Sequence, residues 1–288
     1  MLKRFALLKA KCNRREILLQ GISLFAFILC GCQQQPVKPD PTLNTPPGFH
    51  FQQLSSTQFE HWLAVPEKST SNRHCLTVYL EGDGIPFIKQ GSRIAANPTG
   101  IKNPLLQLAR QDLDNAVWLG RPCYFGLQNS RNCSPHLWSF GRYAESVAES
   151  LEEIITRLAG DKQVVLVGHS GGGVLAAIIA QRSPQVTELI TLAAPLDTDS
   201  WTSSHGYSPL FDSINPAQLP VSQHNLKQLH IIGDKDSEVT SQHQMAYLSR
   251  YPEARRISLV GVNHQLEGLS TQDWLKLITR ERQTLGCD

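Results

Sequence analysis

The chain reads as blocks of apolar residues whose period changes. Four apolar residues, Val164-Val165-Leu166-Val167, three of them β-branched, run without a polar break and predict a strand buried on both faces. They lead into Gly168-His169-Ser170-Gly171-Gly172-Gly173 and then into Val174–Arg182, which is apolar nearly all round and predicts a buried helix. Upstream, Phe49–Val65 predicts an antiparallel hairpin around a Ser-Ser-Thr turn. Leu76–Leu80 and Ala116–Leu119 predict strands, with a helix over Pro104–Asp112 between them. Arg142–Ala159 places Val147, Leu151, Ile154, Ile155 and Leu158 on one face of a long amphipathic helix. Downstream, Val186–Leu192, Leu226–Ile232 and Arg256–Val260 predict strands, while Met245–Arg250 and Trp274–Arg280 fall on helices. Strands alternating with helices imply an α/β architecture, a mostly parallel central sheet with helices on both faces.

Two stretches resist this reading. Arg121–His136 is expected to be a polar loop. Residues 196–225, rich in Ser, Asp, Pro and His, form a lid-like insertion, since about thirty residues without clear structure are uncommon inside a compact domain. Trp201, His205, Tyr207 and Phe211 either line a site beneath it or pack the loop onto the body.

Composition changes the picture mainly at the front. Of 288 residues, 41% are hydrophobic and 18% charged, which suits one large domain. The formal charge of +2 hides an asymmetry: residues 1–31 hold Lys3, Arg4, Lys9, Lys11, Arg14 and Arg15 against Glu16 alone. The remainder is net acidic, with no basic footprint for nucleic acid and no aromatic–basic interleaving for single strands. A basic start followed by the short apolar run Ile17–Leu29 predicts a signal peptide over 1–31 rather than a spanning helix. Leu29-Cys30-Gly31-Cys32 resembles the bacterial lipobox, with Cys32 as the acylated cysteine. Gln33 after Cys32, in place of aspartate, implies by that resemblance a bacterial outer-membrane anchor facing the periplasm. Residues 32–48, with five prolines, are then an extended tether, and 49–288 the folded domain.

Export sets the cysteine chemistry. Beyond Cys32 there remain Cys75, Cys123, Cys133 and Cys287, an even number with three pairings. Cys123 with Cys133, flanking one loop, is the preferred pair, and Cys75 with Cys287 would then be the second; free, buried cysteines acting as small hydrophobes are the alternative.

Gly168-His169-Ser170-Gly171-Gly172 matches the G-x-S-x-G nucleophile elbow, a strand-to-helix turn so tight that side chains beside the serine would clash. A glycine-rich anion-binding turn is the blander reading, but the Lys-Ser/Thr of a P-loop and the G-x-G-x-x-G spacing are both missing. No His-Glu-x-x-His or Cys-x-x-Cys pattern supports a metal site, and no cofactor is implied. A serine hydroxyl needs a base to take its proton and an acid to orient that base. His264 lies in a loop just after the last predicted strand and fits the base better than the nine other histidines. His169 adjoins the serine, but the turn is expected to point it elsewhere.

This constellation resembles the α/β-hydrolase superfamily, and more narrowly bacterial lipoproteins of that fold, over nearly all of the chain after the tether. The resemblance implies the order serine, acid, histidine. Gly233-Asp234-Lys235-Asp236-Ser237-Glu238-Val239 resembles the segment that carries the acid, with Asp236 at its position. Asp197, after the preceding strand, is the alternative acid. The oxyanion hole would use the backbone N–H groups of Gly171 and Asp83, the latter in Glu81-Gly82-Asp83-Gly84. Since a carboxylate near an oxyanion is unfavourable, the Asp83 side chain is expected to turn away and bond locally.

The resemblance implies a membrane-anchored serine hydrolase acting on a small-molecule or lipid acyl substrate, an ester or thioester. A peptidase or amidase on the same triad, and a non-catalytic envelope binding protein of this fold, are the alternatives. The fold alone does not select among them.

Overall fold

The computed structural model describes residues 43, 49–67, 75–112 and 116–285. The expected signal peptide, nearly all of the tether with Cys32, and Cys287 lie outside the described residues.

The chain opens with the expected hairpin, β1 (Phe49–Ser55) and β2 (Glu60–Pro66), paired antiparallel. The strand β3 (Cys75–Leu80) follows, then a small separate ribbon of β4 (Phe87–Ile88) and β5 (Arg93–Ile94). Next come α1 (Pro104–Gln111), β6 (Ala116–Leu119), α2 (Glu145–Ala159), β7 (Gln163–His169), α3 (Gly171–Arg182) and β8 (Val186–Leu192). The last elements are α4 (Thr198–His205), β9 (Lys227–Gly233), α5 (Met245–Leu248), β10 (Arg255–Leu259) and α6 (Thr271–Leu285). Eight strands form one sheet in the order β1-β2-β6-β3-β7-β8-β9-β10. Only the β1–β2 and β2–β6 pairs are antiparallel. From β6 to β10 all pairs are parallel, so the ends of β3, β7, β8, β9 and β10 emerge along one edge.

The period-2 geometry of a strand explains the two cores. On β7, Val165 and Val167 face the layer that holds Leu105 and Leu108 of α1 with Trp274 and Ile278 of α6. Val164 and Leu166 face the opposite layer, with Leu151 and Ile154 of α2 and Val174 and Ile178 of α3. A strand covered on both sides has no polar alternation to show, which is why Val164–Val167 reads as a plain apolar run.

Several boundaries differ from expectation for local reasons. Helix α3 begins at Gly171 rather than Val174. Three glycines are poor helix formers, but their backbones approach neighbours too closely for any side chain. A Cβ on Gly172 would overlap the Leu80 and Glu81 carbonyls, and one on Gly168 would strike Gly172 and Gly173. Helix α2 begins at Glu145, because the Tyr143 backbone is engaged with Ser213 Oγ and the Ile214 N–H.

The stretch expected to be a polar loop is in large part interior. Arg121, Cys123, Tyr124, Phe125 and Leu127 are all buried. Phe125 O accepts from Trp62 Nε1 (2.9 Å), and Phe125 N donates to Thr99 Oγ1 (2.7 Å). The Cys123–Cys133 disulfide closes this loop over a separation of 10 residues. Cys75 is also disulfide-bonded.

Residues 196–225 hold α4, a 3₁₀ turn at Pro216–Gln218 and irregular chain. They are tied to the body by Asp197 N to His243 O (2.8 Å), Ile214 N to Tyr143 O (3.0 Å) and Arg250 Nη1 to Ala217 O (2.6 Å).

Candidate active site

Ser170 sits between β7 and α3 with φ 50° and ψ −123°. A non-glycine residue in that region is strained, and the strain persists only because the surroundings enforce it. Ser170 N donates to Leu192 O on β8 (2.9 Å), and Ser170 O accepts from Gly173 and Val174 (2.9 and 3.2 Å). The side chain is thereby held at the C-terminal edge of the sheet, beside the N-terminus of α3.

Three predicted residues meet there. His264 Nε2 lies 3.1 Å from Ser170 Oγ, and His264 Nδ1 lies 3.0 Å from Asp236 Oδ2. A carboxylate only accepts, so Nδ1–H donates to Asp236 and Nε2 is left to accept from the Ser170 hydroxyl. Asp236 is itself fixed, since its Oδ1 accepts from Glu238 N (2.9 Å) and Val239 N (2.8 Å) and its side chain is fully buried. The loops after β9 and β10 are drawn together by Lys235 N donating to Val262 O (3.0 Å). Gly233 permits this, because a Cβ there would overlap the Val262 carbonyl.

Asp197 is occupied elsewhere. It caps α4 through Ser200 N (3.2 Å) and accepts from Asn215 Nδ2 (2.9 Å). Asp234 is a turn residue whose carboxylate accepts from Gly261 N (2.7 Å).

His169 corrects one expectation. Its side chain does not leave the site: Nε2 donates to the main-chain carbonyl of His264 (2.8 Å), and the two rings are 5.3 Å apart. Burial, and then the neighbouring His264, push His169 down to about 4, so the ring is neutral at pH 7.

Asp83 corrects another. Its carboxylate neither turns away nor bonds locally. It packs against the Gly171 Cα, where any Cβ would overlap it. Its partners are distant in sequence: Arg121 Nη1, Arg142 Nη1 (3.1 Å) and Tyr143 Oη (2.5 Å). Tyr124 Oη donates to the Asp83 carbonyl (3.1 Å). Burial alone would push the Asp83 carboxyl up, but the guanidinium groups of Arg121 and Arg142 outweigh it and hold the group at about 2. The loop after β3 is therefore pinned at one residue by four side chains. Sequence reasoning singled out none of these four. The one available signal was an arginine two residues after the apolar strand β6, in a stretch whose polar composition reads as surface.

Ser170, His169 and His264 open onto a cavity of about 1180 Å³. The loop after β3, with Glu81 and Asp83, forms one wall; Phe87, Phe140 and Arg142 form another; Trp201 and Tyr207 of the 196–225 segment overhang it. His205 stacks on Tyr207 and Phe211 stacks on Phe140, so these two support lining residues. Burial pushes the Glu81 carboxyl up to about 8, and it accepts from Leu106 N at the start of α1 (2.8 Å). A second serine–histidine contact, Ser150 Oγ to His61 Nε2 (2.6 Å), is fully buried, and His61 Nδ1 meets the Gly120 carbonyl rather than an acid. Among the described residues, no three His, Cys, Asp or Glu side chains cluster to hold a metal ion.

A family model described as the alpha/beta hydrolase fold matches residues 128–224, which include Ser170 but neither Asp236 nor His264. No curated protein matches the chain. Among solved structures, an α/β serine hydrolase without a lid from Xanthomonas campestris is 14% identical, with a TM-score of 0.52 over 84% of this chain and 98% of that one. A membrane phospholipase A, named a bacterial virulence factor, is 14% identical, with a TM-score of 0.55 over 83% and 87%. Est1E from Butyrivibrio proteoclasticus is 11% identical, with a TM-score of 0.54 over 82% and 98%. The parallel sheet, the strained turn at its edge and these likenesses together make this chain an α/β-hydrolase-fold protein.

Proposed function

We propose that this protein is a serine hydrolase that cleaves a carboxylic ester or thioester through Ser170, His264 and Asp236. The observation that carries the reading is the continuous line Ser170 Oγ–His264–Asp236 at a strained turn that opens onto a large cavity. The Ser170 hydroxyl passes its proton to His264 Nε2 as Oγ bonds to the acyl carbon. The oxyanion is met by the N–H groups of Gly171 and Asp83. Collapse breaks the bond to the leaving alcohol or thiol, which takes the proton from His264. Water then attacks the acyl-enzyme, with His264 again accepting and returning a proton, and frees the acid and Ser170. Asp236 keeps the His264 tautomer and stabilises the imidazolium.

The basic and apolar start of the chain supports export, and Leu29-Cys30-Gly31-Cys32 supports acylation of Cys32 with the domain tethered to a membrane in the bacterial envelope. Apolar groups at the cavity, among them Phe87, Phe140 and Trp201, support an acyl substrate.

A fluorophosphonate probe on wild type and Ser170→Ala tests the chemistry. A stable adduct at Ser170, lost in the variant, is expected; no adduct on folded wild type would leave the binding-protein reading. Labelling cells with a fatty-acid analogue, with Cys32→Ala as control, tests the anchor separately.

A further inference from the structure

We propose that the cavity takes an acyl ester that also carries an anionic group, a carboxylate or phosphate, and that Arg142 receives it. This rests on the Ser170 chemistry proposed above and names its substrate class.

Arg121 and Arg142 are both buried, with 1% and 4% of their surface exposed, and they share one carboxylate, Asp83. That carboxylate is engaged at both oxygens: Oδ1 takes Arg121 Nη1, and Oδ2 takes both Arg142 Nη1 and Tyr143 Oη. Arg121 spends its Nη2 on the Arg142 carbonyl (2.7 Å). One buried positive charge is left over beside the cavity, which is costly without an anion to meet it.

Arg121 Nε also lacks a partner but is sealed in the interior, so Arg142 is the arginine whose spare N–H group can reach the cavity. Its Nε donates to Ser139 O (2.6 Å) and its Nη1 to Asp83. Its Nη2 makes no hydrogen bond among the described residues, yet it is not sealed from solvent, and the residue lines the cavity that holds Ser170. The Phe87 ring packs over the guanidinium, 5.6 Å from Cζ, and limits water there. A fixed, poorly hydrated guanidinium with a free edge suits a carboxylate or phosphate oxygen better than a neutral group.

The other charged side chains on the cavity do not supply that anion. Glu238 is exposed, Lys102 is paired with Glu267 at 2.5 Å, and Glu81 is engaged with the N-terminus of α1. Asp83 also sets the reach. Its backbone N–H is the proposed oxyanion donor and its carboxylate touches Arg142, so the anion and the scissile carbonyl belong to one short substrate.

Two matched pairs of esters test this on the full chain. One pair is the p-nitrophenyl monoester of glutaric acid against p-nitrophenyl valerate, which places the anion in the acyl part. The other is a monoacylglycerol 3-phosphate against the monoacylglycerol, which places it in the leaving group. In at least one pair kcat/KM should favour the anionic ester by about ten-fold or more, the worth of one charge-assisted hydrogen bond. In Arg142→Gln that ratio should fall towards unity. A wild type that prefers the neutral ester in both pairs, or a folded Arg142→Gln with an unchanged ratio, overturns the proposal. Should the variant not fold, free glutarate and inorganic phosphate are tested on wild type. Competitive inhibition of neutral-ester hydrolysis by either supports the subsite, and inhibition by neither counts against it. Labelling of Ser170 by a neutral fluorophosphonate separates the two readings: labelling with neutral preference sinks the subsite alone, and no labelling sinks the hydrolase reading beneath it.

Discussion

His169 Nε2 donates to the main-chain carbonyl of His264 at 2.8 Å, so the residue before the nucleophile holds the backbone of the residue that would activate it. The elbow and the histidine loop, 95 residues apart, are thereby one unit.

His169→Leu keeps the volume and removes the donor. Loosening His264 by even part of an ångström should lower kcat by about ten- to a hundred-fold, with KM for an ester substrate little changed. His169→Gln, whose amide can donate, should recover part of the loss. Equal kcat in His169→Leu and wild type would show that the bond is incidental.

Asp236 and Asp197 should separate cleanly. Asp236→Asn cannot keep the Nδ1–H tautomer of His264, and kcat should fall by about 10⁴-fold. Asp197→Asn should leave kcat near wild type and cost at most about 1 kcal/mol of stability through the α4 cap. Ester hydrolysis with parallel thermal unfolding checks both, and a larger activity loss in Asp197→Asn would reverse the assignment.

Gly171→Ala brings a methyl group into the Asp83 carboxylate. That carboxylate cannot move without abandoning two buried arginines, a loss of about 3–5 kcal/mol. The variant should therefore melt well below wild type and label poorly with fluorophosphonate. A wild-type melting temperature would mean that the loop after β3 yields more easily than its four supports suggest.

Stability should pass through a maximum near pH 6.5. Burial holds His61 and His169 at about 4 and His230 at about 3, against an ordinary 6.5. The unfolded chain thus binds more protons than the folded one below pH 6.5, and stability falls as pH drops towards 4. Glu81 works with the opposite sign. Its carboxyl is raised to about 8, so the folded chain holds the extra proton, and that contribution is lost as pH rises from 4.5 through 8. Among the described residues these three histidines, with His243 lowered by burial in the same sense, outweigh Glu81 on the acid side, and Glu81, with Glu152 raised by burial in the same sense, sets the alkaline side. Melting temperature across pH 4–9 reads both limbs, and Glu81→Gln should flatten the alkaline one. A wild-type curve that is flat from pH 4 to 6.5 would contradict the histidine burial.

Much of the fold was legible because it is written in local periods. Apolar runs, amphipathic spacing and glycine-rich turns each depend on residues close in sequence, and they located the hairpin, the central strands, the long helices and the Ser170 turn. The order of acid and histidine behind the serine was legible too, as was the Cys123–Cys133 loop. The tertiary structure decided the rest. It chose Asp236 over Asp197 as the partner of His264, because the choice depends on Gly233 letting the β9 and β10 loops touch. It turned His169 towards His264, and it gathered Arg121, Tyr124, Arg142 and Tyr143 around Asp83, up to 60 residues away. Periodicity carries no signal for such contacts, since a buried arginine and a surface arginine look alike until the chain has closed around one of them. Hence Gly168-His169-Ser170-Gly171-Gly172 could be recognised from sequence as a place for chemistry, while the charge that surrounds it was set only by the packing of distant loops.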